Sequence, residues 1–220
     1  MIPSPLNDDK TVYDDWLSDQ QRADSTLGQP SLALMGTGSD YTVFFDHLGI
    51  PSIDMLFNRQ GKGVYPYHSN YDSYYWLEKF GDIGFKKHLA MAQLWGVIVV
   101  RLAELSVVPF NAGDYPATLK SHLQDLKAGD GNGLDFQQVD SAIRRFQLAA
   151  DNLDRTAHAL LSTGQNRNRM SDAISAVNNK YRLIERLFLL PKNFGLPGRP
   201  WYRHMVRLKH LFGKRALLTY

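Results

Sequence analysis

Apolar residues recur every three or four positions along two long stretches of this chain: Phe136, Val139, Ile143, Phe146, Ala150, Leu153, Ala157 and Leu160, then Met170, Ile174, Val177, Tyr181, Ile184 and Phe188. That period puts each set on one face of an α-helix, so two amphipathic helices are predicted, packed antiparallel, with Gly164-Gln165-Asn166 as the break between them. Asp135 with Gln138 three positions on has the form of a capping box at the start of the first. A shorter helix from Tyr115 to Leu126 adds to a bundle, and the stripes read as the inside of that bundle. The Pro- and Gly-rich link Pro191 to Pro200 ends it, and Trp201-Tyr202-Arg203-His204 begins a last segment.

Upstream the pattern changes. Leu32 to Met35, Gly36 to Gly38, Tyr41 to Leu48 and Ser52 to Phe57 read as strand, turn, helix and strand, an α/β unit. Ser39 is placed to cap the helix with Asp40 in its first turn, and Gly49 to terminate it. Asn58 to Gly63 reads as a loop that delivers Tyr67 and His68 to a surface. A long helix is predicted from Gly84 to Leu105, and the change of texture at Val108 to Gly113 marks a domain boundary. The expected fold class is an α/β fragment, residues 1–111, followed by an all-α helical bundle, residues 112–220.

Composition narrows the function classes. At 220 residues and 44% hydrophobic content the chain can bury an ordinary core. The net charge is only +3, with acidic residues spread throughout, so no continuous basic face for nucleic acid is expected. The one basic concentration is Arg199, Arg203, Arg207, Lys209, Lys214 and Arg215. The absence of cysteine excludes disulfides and thiolate metal sites. The opening Met1 to Lys10 lacks the basic and apolar regions of a signal peptide. The most apolar run, Leu89 to Leu105, contains Gln93, Arg101 and Glu104 and reads as a buried helix, so no membrane segment is expected.

The candidate chemistry sits in Tyr65-Pro66-Tyr67-His68-Ser69-Asn70-Tyr71-Asp72, downstream of Gly36-Thr37-Gly38-Ser39-Asp40. His68 is a potential metal ligand, although a single histidine near aromatics is more often packed than metal-bound. Asp72 is close enough in sequence to accept from its second ring nitrogen. The Tyr67 phenol could donate to an oxyanion. A glycine-rich turn opening a helix offers backbone N–H groups to an anion such as a carboxylate. No phosphate loop, no Gly-x-Ser-x-Gly elbow and no His-Glu-x-x-His pair occurs.

Taken in order, Gly36-Thr37-Gly38-Ser39-Asp40-Tyr41, Phe44 to Pro51, Tyr67 to Asp72, Glu78 to Asp82 and Gly195 to His204 resemble successive blocks of the family of glutamate carboxypeptidase II and the transferrin receptor, over nearly the whole chain. The resemblance implies that residues 1–111 are the C-terminal part of a zinc-aminopeptidase-like mixed sheet domain. It implies that residues 112–220 are a transferrin-receptor-like helical domain through which the protein homodimerises. His68 would be the last ligand of a two-zinc centre and Tyr67 the neighbour that stabilises the tetrahedral intermediate. Thr37, Gly38 and Ser39 would line the cleft for a peptide substrate. Asp54 and Leu56 stand where glutamate-preferring members carry an arginine pair, and Arg207 to Tyr220 stand where a Tyr-Ala-Gly block is expected. The family's other zinc ligands and its catalytic glutamate have no counterpart in the chain. The expectation is a truncated zinc carboxypeptidase, inactive by itself; the competing one is a receptor-like or scaffold homologue that acts through dimerisation.

Overall fold

The computed structural model describes residues 1–57, 65–129, 133–162 and 170–205. The predicted loop Asn58 to Gly63, the break at Gly164 to Asn166 and the basic residues Arg207, Lys209, Lys214 and Arg215 lie outside the described residues. The described residues divide into two units: Met1–Gly36 with Ile53–Ala103, and Thr37–Ser52 with residues 104–205.

In the first unit, α1 (Val12–Gln21) begins at a reciprocal capping box that the apolar pattern did not signal. The Thr11 hydroxyl accepts from the backbone N–H of Asp14, and the Asp14 carboxylate accepts from that of Thr11 at 2.9 Å. Helix α2 (Lys86–Glu104) matches the predicted long helix to within two residues at its start and one at its end. Its N-terminus is held by the buried Asp82, whose carboxylate accepts from the backbone N–H of Lys87 and His88, both at 3.0 Å, and from His88 Nδ1 at 2.7 Å. Burial alone would raise the Asp82 pKa, but the hydrogen bonds from His88 and the two backbone N–H groups outweigh it and hold the carboxyl below its ordinary 3.8. A depressed folded-state pKa gives stability that is complete above the unfolded value and lost as pH falls through the folded one. The first unit should therefore hold its stability between pH 7 and 5 and lose it as pH drops below 3.8. An Asp82→Asn variant should flatten that decline in pH-dependent denaturant melts; an unchanged acid limb would remove Asp82 from the account.

No strand occurs among the described residues, so the expected α/β mixed sheet is not what this chain builds. Residues 32–35 and 52–57 run as irregular backbone, and the described extended pairings are three isolated bridges, Pro3 with Thr11, Leu189 with His204 and Leu196 with Arg199. The physical reason is that a strand is stabilised by a hydrogen-bonded neighbour on its flank. Two short apolar runs carry the alternation of strands but supply no ladder for each other. Helix α2 buries only Ala90 and leaves Leu89, Trp95, Val99 and Val100 exposed. Among the described residues no helix is long and apolar enough to cross a membrane.

The second unit is the predicted bundle: α3 (Asp114–Ala128), α4 (Gln137–Ser162) and α5 (Ser171–Ile184), continued by a 3-10 turn Glu185–Phe188. The predicted capping box of Asp135 with Gln138 is not what forms: the Asp135 carboxylate accepts from the backbone N–H of Gln137, two positions on, at 2.8 Å. The two apolar stripes meet as expected: Ala150, Ala157, Val177, Tyr181 and Ile184 form the buried core with Val107 and Ala112, and Phe146, Leu153, Leu160, Ile174 and Phe188 pack against it. Polar side chains tie the segment that leads into α3 onto this core. Asn178 Oδ1 accepts from the Val108 N–H at 3.0 Å while its Nδ2 donates to the Ser106 carbonyl at 2.8 Å. The Asp154 carboxylate accepts from the N–H groups of Ala112 and Gly113, both at 2.9 Å, and from the Tyr181 hydroxyl at 2.7 Å. Burial and that bond to Asp154 push the Tyr181 phenol far above its ordinary range. Desolvation, with the Asp154 charge nearby, raises the Asp114 carboxyl above its usual value.

Candidate functional site

The Tyr65–Asp72 turn lies in the first unit. Its backbone folds tightly: the Tyr67 N–H donates to the Tyr65 carbonyl at 2.8 Å, Ser69 Oγ donates to the Pro66 carbonyl at 2.7 Å, and the Asp72 N–H donates to the Ser69 carbonyl at 3.1 Å. His68 sits at the crest with φ 58°, the left-handed region that a side chain with a Cβ occupies at a cost of roughly 1–2 kcal/mol. This conformation lays its imidazole against the Tyr67 ring, centroids 3.8 Å apart, and both side chains face solvent. The Tyr65 hydroxyl donates to Asp72 Oδ1 at 2.9 Å, and that bond raises the Tyr65 pKa. Asp72 is thus bonded to Tyr65 rather than to His68, the partner considered from sequence.

Thr37, Gly38 and Ser39 are all exposed and share one turn of the second unit. The Gly38 N–H donates to Thr42 Oγ1 at 3.2 Å and the Thr42 N–H to the Ser39 carbonyl at 3.0 Å; Gly38 has φ 113°, open to glycine. The predicted helix Tyr41 to Leu48 does form, over residues 41–47, as two α-helical residues followed by the π-helical turn Val43–His47, but it is short and no side-chain hydrogen bond caps that turn. A helix dipole aimed at an anion is therefore not built here. Gly49, with φ 62°, does end the turn as expected, its N–H donating to the Phe45 carbonyl at 3.1 Å.

A second polar cluster, unforeseen from the sequence, lies inside the helical unit. Glu185 and His204 are both buried, and His204 Nε2 lies 2.7 Å from Glu185 Oε1. A carboxylate oxygen can only accept, so the Nε2 proton donates. The other oxygen, Oε2, accepts from the Tyr115 hydroxyl. The imidazole is stacked on Phe45 with centroids 5.1 Å apart and lies 6.0 Å from the Phe188 ring, and its buried Nδ1 has no hydrogen-bond partner among the described residues. One signal in the sequence could have found these acids. Asp154 is four residues after Ala150 and three before Ala157, and Glu185 is four after Tyr181, so both occupy apolar-stripe positions.

With this geometry in hand, comparison with known proteins is direct. The family described as transferrin receptor-like dimerisation domain matches residues 134–212, which include all of α4 and α5. The chain is 33% identical over 206 residues to the probable glutamate carboxypeptidase LAMP1 of Arabidopsis thaliana, covering 93% of this chain and 28% of that protein. It is 33% identical over 216 residues to the aminopeptidase NAALADL1 of Mus musculus, covering 93% of this chain and 28% of the relative. A probable glutamate carboxypeptidase of Arthroderma benhamiae is 35% identical over 207 residues, covering 90% of this chain and 26% of that protein. The chain carries the transferrin receptor-like dimerisation domain of the glutamate carboxypeptidase family.

The chain spans a little over a quarter of the length of these family relatives, 28% for the first two. A zinc centre takes three or four protein ligands, and among the described residues no three His, Asp or Glu side chains converge on a common point. The exposed His68 can offer one ligand. The described residues do not fit a complete zinc site.

Proposed function

We propose that this chain serves a zinc-dependent carboxypeptidase of the glutamate carboxypeptidase family, supplying His68 as one metal ligand and Tyr67 as the donor to the tetrahedral intermediate. Thr37, Gly38 and Ser39 line the cleft for a small peptide. The observation that carries this reading is the Tyr67–His68 pair itself: an exposed imidazole in a left-handed conformation, beside a phenol that also faces solvent, in a chain whose relatives are named carboxypeptidases. Backbone strain of this kind clusters at functional sites, which supports the reading.

One imidazole does not assemble a two-metal centre, so the isolated polypeptide of 220 residues should show no zinc-dependent hydrolysis of an N-acetylated dipeptide. Bound zinc is to be measured by elemental analysis after exhaustive dialysis, in the chain and in a His68→Ala variant. Substoichiometric zinc in both, with no turnover, is the expected result. Stoichiometric zinc that disappears on substitution, together with turnover, would overturn the inactive reading and make this chain an enzyme from ligands outside the described residues.

The second part of the proposal is assembly: the helical unit joins two copies of the chain. Support comes from the match of residues 134–212 to a dimerisation domain and from the exposed apolar side chains Val139, Leu148, Leu183 and Leu187 on that unit. Sedimentation at micromolar concentration should give twice the 25.0 kDa chain mass. A single species at the monomer mass would refute it.

A further inference from the structure

We infer that Arg203 and His204 are positioning residues for the Thr37–Ser52 segment, so that the core of the dimerisation domain, rather than the segment's own secondary structure, holds the turn that carries Thr37, Gly38 and Ser39. Calling that turn a substrate cleft rests on the function proposed above. The clamp itself rests on contacts within the second unit.

The segment has little to hold itself. Its regular structure is the short helical stretch 41–47, which exposes Val43 and Phe44 and buries only Phe45 and Asp46. An isolated turn of this length does not persist in water, because nucleation fixes several residues for each hydrogen bond formed. The external anchors come instead from residues 186–204. Arg203 places three donors on two chain segments at once: its backbone N–H donates to the Asp46 carbonyl at 3.1 Å, its Nε to the Leu190 carbonyl at 2.7 Å and its Nη1 to the His47 carbonyl at 3.1 Å. The guanidinium therefore staples the end of the turn to the strap that follows the 3-10 helix. Trp201 adds a fourth link, its carbonyl lying 2.7 Å from His47 Nδ1.

His204 completes the clamp from inside. Its ring is nearly parallel to that of Phe45, at 10° and 5.1 Å, and its orientation is set by Glu185, which Tyr115 of α3 holds in turn. A line of contacts thus runs from the helical core through Tyr115, Glu185 and His204 to Phe45. Gly49 closes the same seam: a Cβ there would lie 3.0 Å from the Cα of Arg186 and from a methyl of Leu189, so the backbone rests directly on that segment.

Amide hydrogen exchange on the full chain tests the clamp without any substrate or metal. The reporters are the N–H groups of Thr42, Gly49 and Ile50, which donate to Ser39, Phe45 and Phe44. An Arg203→Met variant keeps the side chain's length and loses both carbonyl bonds of the guanidinium. Its three reporter amides should exchange faster by on the order of tenfold, while amides within α4 and α5 keep their protection. Arg203→Lys, which can restore one of the two bonds, should fall between, and Arg199→Met, an exposed control, should match the parent. Unchanged reporters in Arg203→Met would overturn the inference. So would a uniform loss of protection across the unit with Lys no better than Met, since that is general destabilisation. Because no turnover is read, a failure of the peptidase proposal leaves this outcome intact, and a failure of the clamp leaves the peptidase proposal standing.

Discussion

An Asp154→Ala variant should lose roughly 4 kcal/mol of stability in the helical unit, the removal of one acceptor leaving two buried donors unpaired. The buried Ala112 N–H and the buried Tyr181 hydroxyl each lose their partner, while the half-buried Gly113 N–H keeps Asn111 Oδ1 at 3.1 Å. An unsatisfied buried donor costs about 1–3 kcal/mol, far more than the net value of the bond when made. The position also matters to architecture: Asp154 is a residue of α4 that fixes both the entry to α3 and a side chain of α5, so its loss loosens three elements together. Asp154→Asn, which keeps one carbonyl oxygen, should lose about half as much. Urea melts followed by far-UV circular dichroism read the difference as a shift in midpoint at constant slope. A midpoint within error of the parent would show that Asp154 is an onlooker.

Glu185→Ala should cost about 3–5 kcal/mol, for a related reason. Glu185 satisfies two donors in a site closed to water, the Nε2–H of His204 and the hydroxyl of Tyr115. His204 already carries a buried Nδ1 with no partner among the described residues, so after the substitution neither nitrogen of its ring has one there. The diagnostic is the multiple variant. Glu185→Leu with His204→Leu and Tyr115→Phe removes every polar atom of the cluster, and it should recover to within about 2 kcal/mol of the parent. The coupling energy from the corresponding mutant cycle isolates the pairwise part. If the triple variant is no more stable than Glu185→Ala, the cluster contributes attraction of its own, and the need to satisfy buried donors does not account for the loss.

Particular residues show how much could be read in advance. The stripes Phe136 to Leu160 and Met170 to Phe188 foretold α4 and α5, because a helix that packs on one side leaves its period in the sequence whatever it packs against. The same local logic located α2, α3 and the stop at Gly49. The capping box at Thr11 and Asp14 was legible by the same rules and marks α1, whose apolar face is too weak to announce it. The strands failed for the opposite reason. Leu32 to Met35 and Ser52 to Phe57 have the composition of strands, but a strand is a property of a pair, and the described residues provide no pairing ladder. For the candidate site, the order of motifs pointed to Tyr67 and His68 together with Thr37, Gly38 and Ser39; ring stacking on a left-handed residue was not foreseeable from it.

Amino-acid order alone was enough to establish the helical second half, its two apolar faces and the family resemblance that the comparisons bear out, since all three are written in local spacing and in ordered short motifs. Folding in three dimensions settled what no local window contains. Glu185 and His204 meet across a separation of 19 residues, Asp154 reaches Ala112 across 42, and Arg203 Nη1 reaches the His47 carbonyl across 156. Contacts at such separations depend on how the chain closes on itself. The periodicity of a helix records which face is buried, but not which distant donor a buried carboxylate will find there.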